Sequence, residues 1–431
     1  MTDMQDKTYI PFTEEMKKEY TILVPNMLPM HFKLIISIME TYGYKMKLLE
    51  NDGAEIAETG LKYTHNDTCY PAVLMIGQFM SALLSGEYDP HKTALIMFQT
   101  GGGCRASNYI SLIRKALKRA DMDYVPVISF GFAGIEKHPG FKLSLGMIHK
   151  MMYAVLFGDL LLSLVNQVKP YEIHKGDAEK KADMWIRRLG QELGNAKRIK
   201  YKKIKRIYNR IVLDFSTVSI RRKSAVKVGI VGEIFVKYSP FGNNDLVNFL
   251  IGENAEVTVP GLIDFCLFFI YNHFTEGKIY KKKQISYPVY RLFYCILCNK
   301  KDDISHALCR TGQFKGLTQF EKIVQMAEPL INHAVKMGEG WLLTAEMIEL
   351  SESGCKNIVC TQPFGCLPNH ICGKGMMKPI KELMPDVNIV AIDYDAGASR
   401  VNQENRLKLM LANARKEKDN NKCDSLCTSA V

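Results

Sequence analysis

Thr93-Ala94-Leu95-Ile96-Met97-Phe98 runs straight into Gln99-Thr100-Gly101-Gly102-Gly103-Cys104-Arg105, and this stretch decides the fold. Its first six residues form an unbroken apolar run of strand length, the pattern of a strand covered on both faces. After the glycine turn, Ser107 to Ala120 places Ile110, Leu112, Ile113 and Leu117 at helical spacing. Val125 to Phe130 is a second apolar run. Strand, helix and strand in that order predict a parallel βαβ unit, because a crossover of this length is what parallel pairing needs.

The same rhythm extends outward. Thr21 to Pro25 and Lys45 to Leu49 read as strands, with helices at Met30 to Tyr42 and Pro71 to Leu84. From about Leu143 to Ile211 the pattern is helical throughout. Val226 to Val231, Ala255 to Val259, Asn357 to Cys360 and Val387 to Asp393 read as the strands of a second unit, with a long helical middle from Leu262 to Ile348 and a closing helix from Asn402 to Lys416. The expected fold class is α/β. Residues 1–142 form a first α/β domain, 143–224 a helical connecting region, 225–416 a second α/β domain with a helical insertion, and 417–431 a disordered tail.

Bulk properties agree. A chain of 431 residues is too long for one ordinary core, and 47% apolar with 24% charged residues describes a folded protein. The first residues contain no apolar signal core, so a cytoplasmic location is expected. Met151 to Val168 is apolar but holds Gly158, Asp159 and Asn166, so it reads as a buried helix, and no membrane span is expected. Much of the net charge of +12 falls between Arg187 and Lys223. A solvated helical face is the plain reading of that stretch, and no specific nucleic-acid binding is expected.

The common signatures are absent. There is no Gly-x-x-x-x-Gly-Lys-Ser/Thr, no dinucleotide-binding turn, no His-Glu-x-x-His and no Gly-x-Ser-x-Gly. Twelve cysteines fall short of a disulfide scaffold, and in a reducing compartment loop cysteines are candidates for metal binding or catalysis. Cys295-x-x-Cys298 lacks the second pair a zinc ribbon needs, Cys423 and Cys427 lie in the tail, and Cys266 sits in an apolar run.

Cys69, Cys104 and Cys366 differ from these. Each lies in a turn rich in Gly, Pro, Asn or Asp, and two of them directly follow a strand-like run. Ligands of open α/β sheets bind beyond the carboxyl ends of the strands. Three thiolates meeting there would suit zinc or an iron–sulfur cluster with one position open. Unrelated loop cysteines are the competing reading of the same pattern.

Five blocks then carry a resemblance. Asn66-Asp67-Thr68-Cys69-Tyr70-Pro71-Ala72 with Ile76-Gly77-Gln78, the stretch Gln99 to Tyr109, Val228 to Ile234, Gln362 to His370, and Ala391 to Asp395 with Asn402 to Arg406 together resemble the 2-hydroxyacyl-CoA dehydratase superfamily. They are most similar to the carboxy-terminal part of proteins described as acyl-CoA dehydratase activase-related. The resemblance spans about residues 20 to 415. It implies two flavodoxin-like domains holding a [4Fe–4S] cluster on Cys69, Cys104 and Cys366. It implies an ATP-dependent activase as electron donor, which here must be a separate protein. In true dehydratases the electron makes a ketyl radical of a CoA thioester, which expels a hydroxyl. A related branch carries a double-cubane cluster, for which Cys360 and Cys372 are the nearest extra thiols. A homodimer, or a heterodimer with a related subunit, is also implied.

Within that frame three residues are candidate catalytic groups. Arg105, beside Cys104, would stabilise a reduced cluster, with a surface salt bridge as the alternative. His370 would donate a proton or orient a ligand, while Asn369 suits a helix cap. Glu233 ends a strand and would point into the cleft. The competing functions are an electron-relay subunit without its own substrate and a zinc-stabilised or metal-free binding module.

Overall fold

The computed structural model describes residues 9–100, 103–130, 136–221, 223–281 and 286–428, with side chains through 416 in the last helix. Gly101, Gly102 and Arg222 therefore lie outside the described residues. The chain divides into two compact units, Met1–Gly158 with Asp183–Lys203, and Asp159–Ala182 with Ile204–Val431.

The first unit contains α1 (Glu14–Glu19), β1 (Thr21–Val24), α2 (Pro29–Glu40), β2 (Lys45–Leu48), α3 (Ala54–Tyr63), α4 (Tyr70–Leu84), β3 (Thr93–Phe98), α5 (Tyr109–Arg119) and β4 (Val127–Phe130). The helices α6 (Leu145–Val168), α7 (Asp177–Gly194) and α8 (Tyr201–Phe215) are divided between the units. The second unit contains β5 (Val226–Gly232), α9 (Ile234–Tyr238), α10 (Leu246–Gly252), β6 (Ala255–Thr258), α11 (Leu262–Ile279), α12 (Tyr287–Cys309), α13 (Phe320–Ala327) and α14 (Gly340–Glu352). It closes with β7 (Asn357–Pro363), α15 (Leu367–Cys372), α16 (Met377–Leu383), β8 (Asn388–Tyr394) and α17 (Arg400–Thr428).

Each unit is built on a four-stranded sheet, ordered β2-β1-β3-β4 in the first and β6-β5-β7-β8 in the second. All pairings are parallel, with Leu23 opposite Leu95 and Ile230 opposite Val359. The expected pair of flavodoxin-like α/β domains is what the chain forms. The central strands are legible because both of their faces are covered. Five of six residues in β3 and six of seven in β5 are buried. In both sheets the order reverses beside the first strand, between β1 and β3 and between β5 and β7. That reversal marks the ligand crevice of such folds.

Helix starts follow local chemistry. Proline stands in the first turn of α2, α4, α12 and α15, where its missing N–H costs nothing. α5 buries Ile110, Ile113, Ala116 and Leu117 on one face, as its spacing predicts. α3 was not anticipated, since Ile56 is its one large buried apolar side chain. It docks on α4 through glycine. A Cβ on Gly77 would stand 2.1 Å from the Ile56 carbonyl oxygen, and one on Gly60 would stand 2.1 Å from that of Val73. This close approach fixes the α3–α4 corner in which Cys69 sits. Gly77→Ala is expected to cost about 1–3 kcal/mol by overpacking, seen as a melting temperature lowered by several degrees. Gly252→Ala, with nothing within 4 Å of its Cβ, should show no such loss. Equal melting temperatures would overturn this account.

α17 runs to Thr428, through the tail that composition marks as disordered. α6 is long and apolar enough to cross a membrane by length and composition, and 61% of its apolar window is buried inside the protein. The exposed face of α8 carries Lys202, Lys203, Arg206 and Arg210 opposite buried Ile204, Ile207, Tyr208 and Ile211. Lys203 pairs with Glu192 at 3.0 Å and Lys205 with Asp303 at 2.7 Å.

Candidate cysteine sites at the strand ends

In the first unit Cys69 caps the start of α4, and Cys104 follows β3 and caps a 3₁₀ turn, Arg105–Asn108, that leads into α5. Helix starts present unpaired N–H groups, the donors an anionic sulfur site uses. Two contacts tie the cysteine turns together. The Tyr109 hydroxyl lies 3.2 Å from the Cys69 Sγ, and the Arg105 guanidinium donates to the Asp67 carbonyl. Arg105 is exposed and bonds backbone, so in this unit it is a strap between the two turns. Just beyond β3, Gln99 Oε1 and Thr100 Oγ1 are buried without a hydrogen-bond partner among the described residues.

In the second unit Cys366 follows β7 and caps α15. Asn369 Nδ2 donates to its Sγ at 3.4 Å and to Glu339 Oε2 at 3.4 Å. Glu339 Oε1 accepts from the Ile234 N–H at 2.9 Å, and Glu233 caps α9 by accepting from the Val236 N–H at 2.9 Å. Glu339 thus links the turn after β5 to the turn after β7. Gly232, at φ +142°, makes that link possible, since a Cβ there would stand 1.9 Å from the Thr361 carbonyl oxygen. Asn369 Oδ1 and Gln362 Oε1 are buried without a partner among the described residues. The His370 ring bonds through Nδ1 to the Cys366 carbonyl at 2.9 Å, which occupies one nitrogen and leaves Nε2 for other work.

The electrostatics of this cluster follow from burial. Burial raises the Cys366 thiol well above its ordinary range, and the carboxylates of Glu339 and Glu233 push it the same way. Burial raises Glu233 as well, with the neighbouring Glu339 charge second. Burial likewise raises Glu339. Two close carboxyls away from water cannot both ionise cheaply, so the pair retains a proton near neutrality.

The two units match position by position. Cys104 and Cys366 each follow the third strand and cap a short helical segment. Cys69 and Glu339 each cap the helix that leads into that strand, α4 and α14. The first unit carries two thiols at these positions and the second carries one thiol and one carboxyl. Glu339 and Tyr109 were not anticipated as site residues. The signal for Glu339 is its place between Gly338 and Gly340, at φ +61° and +48°, before an apolar helical run.

The extra thiols considered for a double-cubane cluster lie in the core. Cys360 is fully buried within β7 and Cys372 is 1% exposed, and burial pushes their thiols up to about 12 and about 11. Two cavities in the first unit, of about 550 and 280 Å³, are lined by the β1–β2 edge and by the α1 and Gly140–Met147 region. Neither borders a cysteine.

The units also differ in their titration. In the first, burial opposes ionisation of Glu136, but hydrogen bonds from His138 and Arg114 hold it down at about 2. In the second, burial raises Glu233, Asp264, Glu339, Glu346 and Glu349, with Glu346 at about 7. A raised carboxyl stabilises the fold below its unfolded value and loses that contribution as pH climbs. A depressed one contributes above its unfolded value and loses it as pH falls. The second unit is therefore expected to weaken from about pH 4.5 to about pH 8, and the Glu136 contribution to fade from about pH 4.5 down to about pH 2. Hydrogen exchange of β7 and β3 against pH checks both. Strengthening of β7 over the upper window would contradict the assignment.

Among the described residues no three His, Cys, Asp or Glu side chains are gathered as a metal site would gather them. Cys69 and Cys104 belong to one unit and Cys366 to the other. The donor chemistry at each turn nevertheless suits thiolate ligation. Soft sulfur stands at a helix start, a hydroxyl or amide lies at hydrogen-bond range of Cys69 and Cys366, and buried oxygen acceptors lack partners. Compared with protein-family models the chain matches none, and no curated protein matches it.

Proposed function

We propose that this chain is an iron–sulfur protein of the 2-hydroxyacyl-CoA dehydratase type. It accepts a low-potential electron from an ATP-dependent activase and works on an acyl-CoA thioester by dehydration or reduction, in an oxygen-free cytoplasm. The observation that carries the reading is the matched placement of Cys104 and Cys366 after the third strand of two like sheets, beside the strand-order reversal. The sequence blocks around the cysteines supply the reaction class.

Cys69, Cys104 and Cys366 would hold the cluster. When bound, it supplies a low-potential electron and a Lewis-acidic iron. Tyr109 and Asn369 hydrogen-bond the sulfurs of Cys69 and Cys366, which sets their orientation. Glu233 and Glu339 hold a proton beside Cys366. His370, whose Nδ1–H donates to the Cys366 carbonyl, presents its second ring nitrogen at the same turn as an acceptor that would orient a ligand. Arg105 straps the Cys69 turn to the Cys104 turn.

The test is iron and acid-labile sulfide per chain in protein purified without oxygen, with an EPR spectrum after dithionite. About four irons are expected, since a single cubane contains four. No iron after anaerobic reconstitution would overturn the reading. An electron-relay subunit without its own substrate is the second reading. Retained cluster without affinity for any CoA thioester would select it.

A further inference from the structure

The hairpin formed by α11 and α12 ends in a tip that the core of its unit does not cover. One side of α12 rests on α11. Tyr287 packs on Phe274 with ring centroids 5.2 Å apart, Tyr290 stacks on His273 at 4.0 Å, and Tyr294 meets Phe274 at 5.6 Å. Yet every residue from Ser286 to Ile296 except Tyr294 is exposed. On the side away from α11, Val289, Leu292, Phe293 and Ile296 are 55, 61, 55 and 36% exposed and form one stripe at i, i+3, i+4 and i+7 spacing. The end of α11 adds Ile279 and Tyr280, which are exposed as well.

The same tip is basic. Lys278 and Lys281 flank Ile279 and Tyr280 and are exposed. Lys282 and Lys283 follow in the sequence, outside the described residues, and Arg291 stands on α12. No Asp or Glu occurs from Gly277 to Lys301. The nearest acid along α11, Glu276, is paired with Lys336. Among the described residues no carboxylate pairs with Lys278, Lys281 or Arg291.

We propose that this tip docks on an anionic lipid surface. Leu292 and Phe293 enter the boundary between headgroups and acyl chains, and the lysines meet the phosphates. Charge and apolarity together choose this occupant. A negatively charged bilayer attracts a polybasic segment, and the apolar side chains beside it then leave water. Long lysine stems let the ammonium groups stay at the headgroups while the tip sinks. A nucleic acid would engage the charges and leave the stripe in water. A second copy would cover the stripe but set two groups of cations against each other. The tip lies on the bilayer and does not span it, because Ser286 to Ile296 extend about 16 Å as a helix, half of the ~30 Å hydrocarbon core.

Co-sedimentation of the whole chain with vesicles tests the proposal, using phosphatidylcholine alone and equal parts of phosphatidylcholine and phosphatidylserine. Binding to the mixed vesicles is expected, and it should weaken with added salt. Lys278→Gln with Lys281→Gln should weaken it by about 25-fold, about fivefold for each charge. Leu292→Gln with Phe293→Gln keeps every charge and should weaken it by about tenfold or more, with unchanged circular dichroism. Lys202→Gln with Arg206→Gln removes as much charge from α8, whose apolar side is buried, and should leave binding as it was. No sedimentation with either vesicle overturns the proposal. So does binding that Leu292→Gln with Phe293→Gln leaves intact, since charge alone would then account for it. A species of twice the chain mass, lost in that same variant and formed without any vesicle binding, would reassign the stripe to a second copy.

Discussion

Cys69→Ala, Cys104→Ala and Cys366→Ala should each lose most of the iron that the anaerobically reconstituted protein takes up, while Cys266→Ala keeps it. The physical contrast lies in where the sulfurs stand. The first three stand at the starts of helical segments, Cys104 and Cys366 after a strand, with at least one polar side chain in reach of Cys69 and Cys366. Cys266 lies inside α11, within the apolar stretch Phe265-Cys266-Leu267-Phe268, at no helix start and after no strand. Asn369→Ala and Tyr109→Phe retain all three thiols and remove one sulfur contact each. Their iron affinity should fall by about 10–100-fold, the usual cost of losing a group that orients a ligand. Equal iron content in all four cysteine variants would end the ligand assignment.

The largest effect on folding is expected at Lys237. Its ammonium lies 3.0 Å from Glu346 Oε1, and the two side chains are 3 and 4% exposed. Lys237→Ala leaves a carboxyl in the core of the second unit with no cation. Breaking a buried pair from one side costs about 3–5 kcal/mol. Part of that loss is expected to return at acid pH, where Glu346 takes up a proton and no longer needs a partner. Lys237→Met combined with Glu346→Leu removes both charges and preserves bulk, so it should recover most of the stability. Chemical denaturation of the three chains separates the cases. If the double variant is as weak as the single one, the loss comes from packing and not from the stranded charge.

The sheets were legible because their central strands are covered on both faces and therefore read as continuous apolar runs. Thr93 to Phe98 ends where β3 ends. The short helices α9 and α15 were not legible, since five or six residues give no periodicity to read. What marks them is the caps, Glu233 and Cys366, which sequence inspection had singled out for other reasons. The cysteine turns were visible as glycine- and proline-rich segments. Glu339 was not, because its importance comes from two partners distant in sequence, Ile234 and Asn369, that only the fold brings to it. The polar end of α17 shows the opposite failure. Its composition suggested disorder, yet Lys, Glu, Asn and Asp extend an existing helix at little cost once it has been nucleated upstream.

The two units are threaded through each other along the chain, since residues 183–203 return to the first after 159–182 have joined the second. That returning segment is closely fitted. A Cβ on Gly190 would stand 2.3 Å from Ser37 Oγ and one on Gly194 would stand 2.4 Å from Thr41 Cγ2, while Trp185, Ile186, Leu189 and Leu193 are buried. On the ribosome, the first unit therefore cannot close when Gly158 emerges. It waits with part of its surface bare until Lys203 has cleared the exit tunnel. A fragment cut at Gly158 would stay in that unfinished state, and expression of the first unit alone requires the segment through Lys203 to be grafted back.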